Sequence, residues 1–422
     1  MSQQILDLLG VGVGPFNLSL AALIPKSEKV LFLDNKPEFS WHSELMFEDA
    51  CMQTSYLKDL VTPVDPTSPY SFLNYLVAHD QFYHFLNTDR KTISRIEFEA
   101  YCKWVSIKLE ERIEFDSMVE DIQFKEDRFR VFTKTREFDT KDLCIASGPQ
   151  PNIPACVKDQ IGPNIFHSKS PNFKNLNLQG KRVLIVGGGQ TGVEIFRNTY
   201  KGKWGQPLEV TMVTGRDNLR PLDEGPFTNE VFTPDFVQNF YRLDQKTKDE
   251  LTENLLLASD GNTPYYLQEV YNELYMDKFY RDQKTKISIK PARWLKQVET
   301  KGSNSVVSLE NLLNKEIEIL DVDIVVLATG FTSKLPSFMN SLENHLSLDS
   351  QGRLEFDQEY RLKTDLDRNN IYMMNFSRHG HGVADPQTSL MSWRSAIIAN
   401  QVTGKDLYKT IPSKNTFLNF FN

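Results

Sequence analysis

The chain of 422 residues is 40% hydrophobic and 25% charged, which is the balance of a soluble globular protein, and its length predicts two or three domains rather than one core. Its formal charge of −8 comes from interspersed acids and bases, and no basic stripe with interleaved aromatics is present, which argues against a nucleic-acid partner. The apolar runs are strand length and predict no transmembrane segment.

Met1-Ser2-Gln3-Gln4 leads into an apolar run without a basic n-region, which points to a cytoplasmic protein. Ile5-Leu6-Asp7-Leu8-Leu9 then reads as a strand and is followed by a glycine turn, Gly10-Val-Gly12-Val-Gly14-Pro15-Phe16-Asn17, which opens a helix. That order places a phosphate where free N–H groups and the helix dipole meet. The next strand, Lys29-Val30-Leu31-Phe32-Leu33, ends in Asp34, whose carboxylate suits ribose hydroxyls and so favours FAD or NAD. A long polar and aromatic loop runs from Pro37 to Tyr75, and the unit closes on Asp142-Leu-Cys-Ile-Ala-Ser-Gly148.

A second strand, turn and helix signal follows as Arg182-Val-Leu-Ile-Val186 and Gly187-Gly188-Gly189-Gln190-Thr191-Gly192. One such turn is weak evidence, whereas two in the correct context predict two dinucleotides. Here the second strand, Leu208 to Val213, ends in Thr214-Gly215-Arg216 without an acid, and a guanidinium there suits the 2′-phosphate of NADPH. A solvated loop cation is the alternative for Arg216. Helical pattern occupies 226–279, at Pro234–Phe240 and Pro264–Tyr271, β structure resumes near Lys290 and Val306–Leu309, and Asp323 to Gly330 matches the first closing strand. A last helix is expected from Ser389 to about Val402.

The fold expected is therefore α/β, with two Rossmann-like dinucleotide-binding domains for FAD and NADPH and a small helical insertion. The domains are placed at 1–163 with 335–422 for FAD, 164–225 with 280–334 for NADPH, and 226–279 for a substrate-side insertion. Cys51, Cys102, Cys144 and Cys156 contain no C-x-x-C, so free thiols are expected rather than a redox dithiol. His379 and His381 lack a third ligand at a recognisable spacing, and no metal is expected.

Several stretches resemble the flavin-dependent N-hydroxylating monooxygenases, the lysine and ornithine N-hydroxylases of siderophore biosynthesis. They are the first glycine turn, Phe39-Ser-Trp41-His42, Met52-Gln53-Thr-Ser-Tyr-Leu-Lys58-Asp59-Leu60, Pro66 to Tyr75, the second glycine turn, Leu327-Ala-Thr-Gly-Phe331 and His381-Gly-Val-Ala-Asp-Pro-Gln-Thr-Ser389. Ser259-Asp260-Gly261 and Ala384-Asp385-Pro386-Gln387 are most similar to the lysine branch. Relatives acting on putrescine, cadaverine or histamine share most of these motifs.

The resemblance implies that NADPH reduces FAD and that a flavin hydroperoxide hydroxylates a neutral primary amine, with no protein acid or base in a catalytic role. It places Lys58, Asn229 and Ser389 at the substrate. At FAD it places Gly10, Gly12, Gly14, Pro15, Asn17, Asp34, Trp41, His42, Gln53, Val119 and Thr388. At NADPH it places Gly187, Gly189, Gln190, Thr191, Gly192 and Arg216. Taken alone, Lys58 reads as a surface lysine, Asn229 and Ser389 as helix N-caps, Trp41 as core and His42 as a structural histidine. Molecular oxygen and a small amine are the partners implied, and a homo-tetramer is the expected assembly.

Competing classes are a flavin disulfide reductase, which lacks its cysteine pair here, and a Baeyer-Villiger type monooxygenase, of whose fingerprint Ile165-Phe-His-Ser168 is a partial echo. A non-catalytic nucleotide sensor is the third.

Overall fold

The computed structural model describes residues 5–282, 284–302, 304–411 and 417–418. The first apolar run forms β1 (Leu6–Val11), the glycine turn opens α1 (Pro15–Leu23), and the chain returns as β2 (Val30–Leu33). β1 pairs in parallel with β2 on one side and with β3 (Glu137–Ile145) on the other. Helices and loops cover both faces of this parallel part, which is why β2 is apolar throughout rather than alternating. The sheet runs in the order Ile113–Glu114, β2, β1, β3, Arg128–Thr133 and Val119–Lys125, and Ile371–Met373 also pairs with β3.

The second unit repeats the plan with β4 (Arg182–Val186), α2 (Gln190–Tyr200) and β5 (Glu209–Val213), closed by β6 (Ile324–Leu327). Its five parallel strands run in the order Lys286–Lys290, β5, β4, β6 and Ile165–His167. The expected helical stretch lies between β5 and Lys286, with helices at Pro234–Tyr241 and Gln245–Asn254 and α3 at Pro264–Phe279. Proline opens the first and last of these, where its missing N–H has no partner to lose.

The β structure expected after Lys290 is a separate antiparallel sheet of Arg293–Lys301, Asn304–Asn311 and Ile317–Val322. The last helix, α4 (Met391–Thr403), starts two residues later than expected, after a 3₁₀ turn at Thr388–Leu390. It packs on α1, where the Ser395 hydroxyl donates to the Phe16 carbonyl at 3.4 Å.

The two units share core. Leu45, Phe47 and Ala50, which follow β2, are buried with Phe166, Val183 and Phe196 of the second unit. Among the described residues no helix is long and apolar enough to cross a membrane.

Candidate active site

At the first turn Gly12 has φ +88°, and a Cβ there would stand 2.6 Å from the Ala146 carbonyl oxygen, so the turn runs against the end of β3 only because no side chain intervenes. Gly14 caps α1 with nothing within 4 Å of where its Cβ would point. No side chain caps that helix, Pro15 opens it, and its first turn holds no acid. A helix start with no side-chain cap and open space beside Gly14 fits a pyrophosphate.

Asp34 is 6% exposed and accepts from the Val13 N–H at 2.6 Å and the Lys36 N–H at 2.9 Å. The carboxylate thus shapes the glycine turn and still has acceptor capacity for a ribose. The Ser117 N–H donates to the Asp34 carbonyl at 2.8 Å, which brings the buried Val119, at the start of its strand, beside the end of β2.

Asn17 requires a correction. It has no exposed surface, and its amide donates to the carbonyls of Gly12 at 2.8 Å and of Val11 and Cys144 at 3.3 Å each. A side chain with no accessible surface cannot touch a nucleotide, so Asn17 braces the turn from behind.

Trp41 packs edge-on against Phe98 at 5.2 Å and against His42 at 4.4 Å. His42 takes a left-handed backbone with φ +52°. The residue is exposed, yet desolvation by the groups around its ring, then the charges of Arg95, Lys169 and Lys36, push its pKa down to about 3. The ring is neutral at pH 7.

At the second turn a Cβ on Gly192 would stand 2.1 Å from the Gly187 carbonyl oxygen, so α2 begins packed against its own turn. Gly189 caps α2 with open space beside it, no side-chain cap and no acid in the first turn. Thr191 is half-buried in that first turn. The Gln190 side chain is already committed, accepting from the Thr263 N–H at 2.8 Å and donating to Glu194 at 2.8 Å. Arg216, just past β5, donates to the Asp260 carbonyl at 3.0 Å and makes no ion pair among the described residues.

Lys58 is half-buried beside Met52, Thr54, Phe72 and Phe98, and it has no acidic partner among the described residues. Burial pushes its ammonium below the ordinary lysine value. Its loop is held by Asp59, which accepts from the N–H groups of Val61, Thr62 and Phe72 at 2.7–2.9 Å, and by the Ser19 hydroxyl, which donates to the Leu60 carbonyl at 2.5 Å.

The segment carrying Gln53 and Lys58 meets both other parts of the chain. Gln53 donates to the Thr263 hydroxyl at 3.2 Å, and the Thr54 and Thr388 hydroxyls lie 3.5 Å apart. Ser389 is buried in the turn before α4, and Leu390 rather than Ser389 is that helix's cap residue. Asn229 is exposed on a 3₁₀ turn, Thr228–Phe232, and Thr233 caps the helix that follows. Capping therefore explains neither residue. Val231 and Phe232 pack with Val383, Ala384 and Leu390, which seats the Asn229 turn on the segment carrying Ser389.

Sequence reasoning missed two buried ion pairs, Arg95 with Glu194 and Arg394 with Asp385. It also missed Asn262, a fully buried amide that donates to the carbonyls of Gly188 at 2.9 Å and Arg220 at 3.0 Å. A charged residue bound for the interior has no local signature in one sequence.

Comparisons with known proteins give the family. A family described as L-lysine 6-monooxygenase/L-ornithine 5-monooxygenase matches residues 4–333. The L-lysine N6-monooxygenase of Escherichia coli is 38% identical over 411 residues, covering 96% of this chain and 96% of that protein. The FAD-bound cadaverine monooxygenase of desferrioxamine biosynthesis from Erwinia amylovora is 25% identical with a TM-score of 0.90, over 99% of this chain and 100% of that one. The ornithine N-hydroxylase of Kutzneria sp. 744, solved with reduced FAD, NADP+ and L-ornithine, is 26% identical with a TM-score of 0.89, over 95% and 99%. With a family match across both glycine turns and 38% identity to a lysine enzyme along 96% of its length, this chain belongs to the L-lysine 6-monooxygenase/L-ornithine 5-monooxygenase family of flavin-dependent N-hydroxylating enzymes.

Proposed function

We propose that this chain N-hydroxylates the terminal amine of L-lysine with FAD, NADPH and oxygen, supplying a hydroxylamine for siderophore biosynthesis. The observation that carries the choice of lysine is 38% identity to the Escherichia coli lysine enzyme along 96% of the chain. Reduced FAD, when bound, supplies the activated oxygen.

The residues at 1–163 and 335–422 form the proposed FAD domain, those at 164–225 and 280–334 the NADPH domain, and 226–279 the insertion beside the substrate. Residues 1–4 and 419–422, the ends of the first of these, lie outside the described residues. The Gly10–Gly14 cradle with Pro15 and Asp34 holds the FAD pyrophosphate and ribose, and the Val119 backbone lies on the adenine side. Trp41, His42, Gln53 and Thr388 line the flavin. The cradle of Gly187, Gly189, Gln190, Thr191 and Gly192 holds NADPH, and Arg216 takes the 2′-phosphate through the donors its single hydrogen bond leaves free.

Lys58 anchors the substrate carboxylate, and Asn229 and Ser389 lie at the substrate's polar end. A free alkyl amine has a pKa of about 10.4, so the site must favour its neutral form. Desolvation of the amine in an enclosed site beside the flavin would do this, as burial already depresses the Lys58 ammonium at the carboxylate end. A cytoplasmic location and a homo-tetrameric assembly belong to the same proposal, and light scattering of the purified protein tests the latter.

A second reading has a carboxylate-free diamine or L-ornithine as substrate, favoured by the fit over 99% of the chain to a cadaverine monooxygenase. NADPH-dependent hydroxylamine formation by FAD-loaded protein, measured with L-lysine, L-ornithine, cadaverine, putrescine and histamine, decides between them. Product with lysine alone supports the carboxylate anchor. Product only with a carboxylate-free amine discards it, and NADPH oxidation without hydroxylamine from any amine discards the reaction.

A further inference from the structure

We infer that Arg95 and Glu194 are positioning residues that hold the second glycine turn, through Gln190, at the distance from the first nucleotide that hydride transfer requires. The inference rests on the assignment of NADPH to the second turn and of FAD to the first.

Glu194 stands on α2, one turn beyond Gln190, and its carboxylate is entirely buried. Both its oxygens are taken by Arg95, at 2.7 Å from Nη1 and 2.8 Å from Nη2, in the bidentate geometry that fixes direction as well as distance. Arg95 opens the helix Arg95–Lys108 of the first unit, and its own N–H donates to the Ala50 carbonyl at 2.9 Å. Leu45, Phe47 and Ala50 are the first-unit residues buried in the second unit's core. The ion pair therefore sits beside the core that the two units share.

From Glu194 the linkage continues to the reacting end. Gln190 donates to Glu194 at 2.8 Å and accepts from the Thr263 N–H at 2.8 Å, while the Thr263 hydroxyl accepts from Gln53 at 3.2 Å. Four side chains, with the backbone N–H and hydroxyl of Thr263, thus link the FAD side, through the first turn of α2, back to the FAD side at Gln53. A pair needed only to join the units could lie anywhere along their contact. This one is built into the helix whose N-terminus forms the NADPH cradle, so a shift of the pair moves the cradle. Burial raises the Glu194 pKa and Arg95 opposes that rise, which is the environment of a carboxylate that depends on its partner.

The test compares wild type with Glu194→Gln, Gln190→Leu and the swap Arg95→Glu with Glu194→Arg. The readouts are anaerobic flavin reduction by NADPH, NADP+ affinity by calorimetry and deuterium exchange of the Thr263 amide. Glu194→Gln and Gln190→Leu are expected to lower the limiting rate of flavin reduction at least tenfold. NADP+ affinity should change less than threefold, and the Thr263 amide should exchange faster in Gln190→Leu. The swap should recover part of the rate.

Unchanged limiting rates in both single variants overturn the inference, as does a loss confined to NADP+ affinity. Gln190→Leu leaves the ion pair intact and so carries the test by itself if Glu194→Gln does not fold. A wild-type protein whose flavin NADPH cannot reduce would overturn the underlying functional assignment instead.

Discussion

Arg394 of α4 and Asp385 meet at 3.0 Å with neither side chain reached by solvent. Asp385 also accepts from the Ser377 N–H at 3.0 Å and hydroxyl at 2.9 Å, while Arg394 donates to the Gln387 carbonyl at 3.1 Å and lies 4.5 Å over the Phe16 ring. One buried pair therefore ties α1, α4 and the turn carrying Thr388 and Ser389. The Arg394 Nε stays without a hydrogen-bond partner among the described residues, so the buried cation depends on Asp385 for its counter-charge.

Asp385→Asn leaves the Arg394 cation buried without its counter-charge, and the loss of folding stability should be roughly 3–5 kcal/mol. Ser377→Ala removes one neutral donor to the same carboxylate and should cost about 1 kcal/mol. Urea unfolding of the three proteins at one pH checks the ranking. Equal midpoints for Asp385→Asn and wild type would show that the pair adds nothing.

The network of Arg197 predicts an acid-sensitive contribution to stability. Glu273 is desolvated, which acts to raise its pKa, but hydrogen bonds from Arg197, Tyr200 and Lys201 outweigh this and hold it at about 2, against an ordinary 4.5. A carboxylate depressed in the folded state stabilises the protein above its unfolded pKa, and that contribution is lost as pH falls through the folded value. Glu273→Gln should therefore be less stable than wild type at pH 7, with the gap closing between pH 4.5 and about 2. Denaturant midpoints of both proteins across that range measure it.

Among the described residues the Arg216 guanidinium has one hydrogen bond, to the Asp260 carbonyl, and no counter-charge. Arg216→Gln keeps a donor but removes the charge, and NADPH affinity should fall by about ten- to a hundredfold, the equivalent of a charge-assisted bond worth roughly 1.5–3 kcal/mol. NADH affinity should change by less than about threefold on the same reasoning. Titration with both coenzymes is the measurement, and equal weakening would remove Arg216 from the 2′-phosphate.

Lys58→Met keeps the length and apolar contacts of the side chain while removing its ammonium. The KM for L-lysine should rise at least about tenfold, as loss of a charged hydrogen bond implies, with kcat less affected. Cadaverine, which has no carboxylate, should show no such rise. Steady-state kinetics with the two amines compares them directly, and a parallel rise in both would place Lys58 elsewhere in the site.

Both glycine turns, the strands before them, and the residues at the ends of β2 and β5 were legible in the chain itself. Each is encoded within a few residues: an apolar run that must be a strand, glycines where a Cβ would collide, and a helix opening without an acid. Asp34 and Arg216 differ in charge at equivalent strand ends, and the proposed assignment of one cofactor to each turn rests on that difference.

What only the tertiary structure decided is the work of side chains whose partners are distant in sequence. Asn17 and Gln190 sit inside the two motifs and read as cofactor contacts, yet one is sealed behind its turn and the other is held by Thr263 and Glu194. Arg95 finds Glu194 across 99 residues, and Thr54 meets Thr388 across 334. Local pattern determines strand, turn and helix because those depend on backbone sterics and on neighbours one turn away. Burial of a charge and the convergence of hydroxyls depend on which surfaces pack together, and packing exists only once the whole chain has folded.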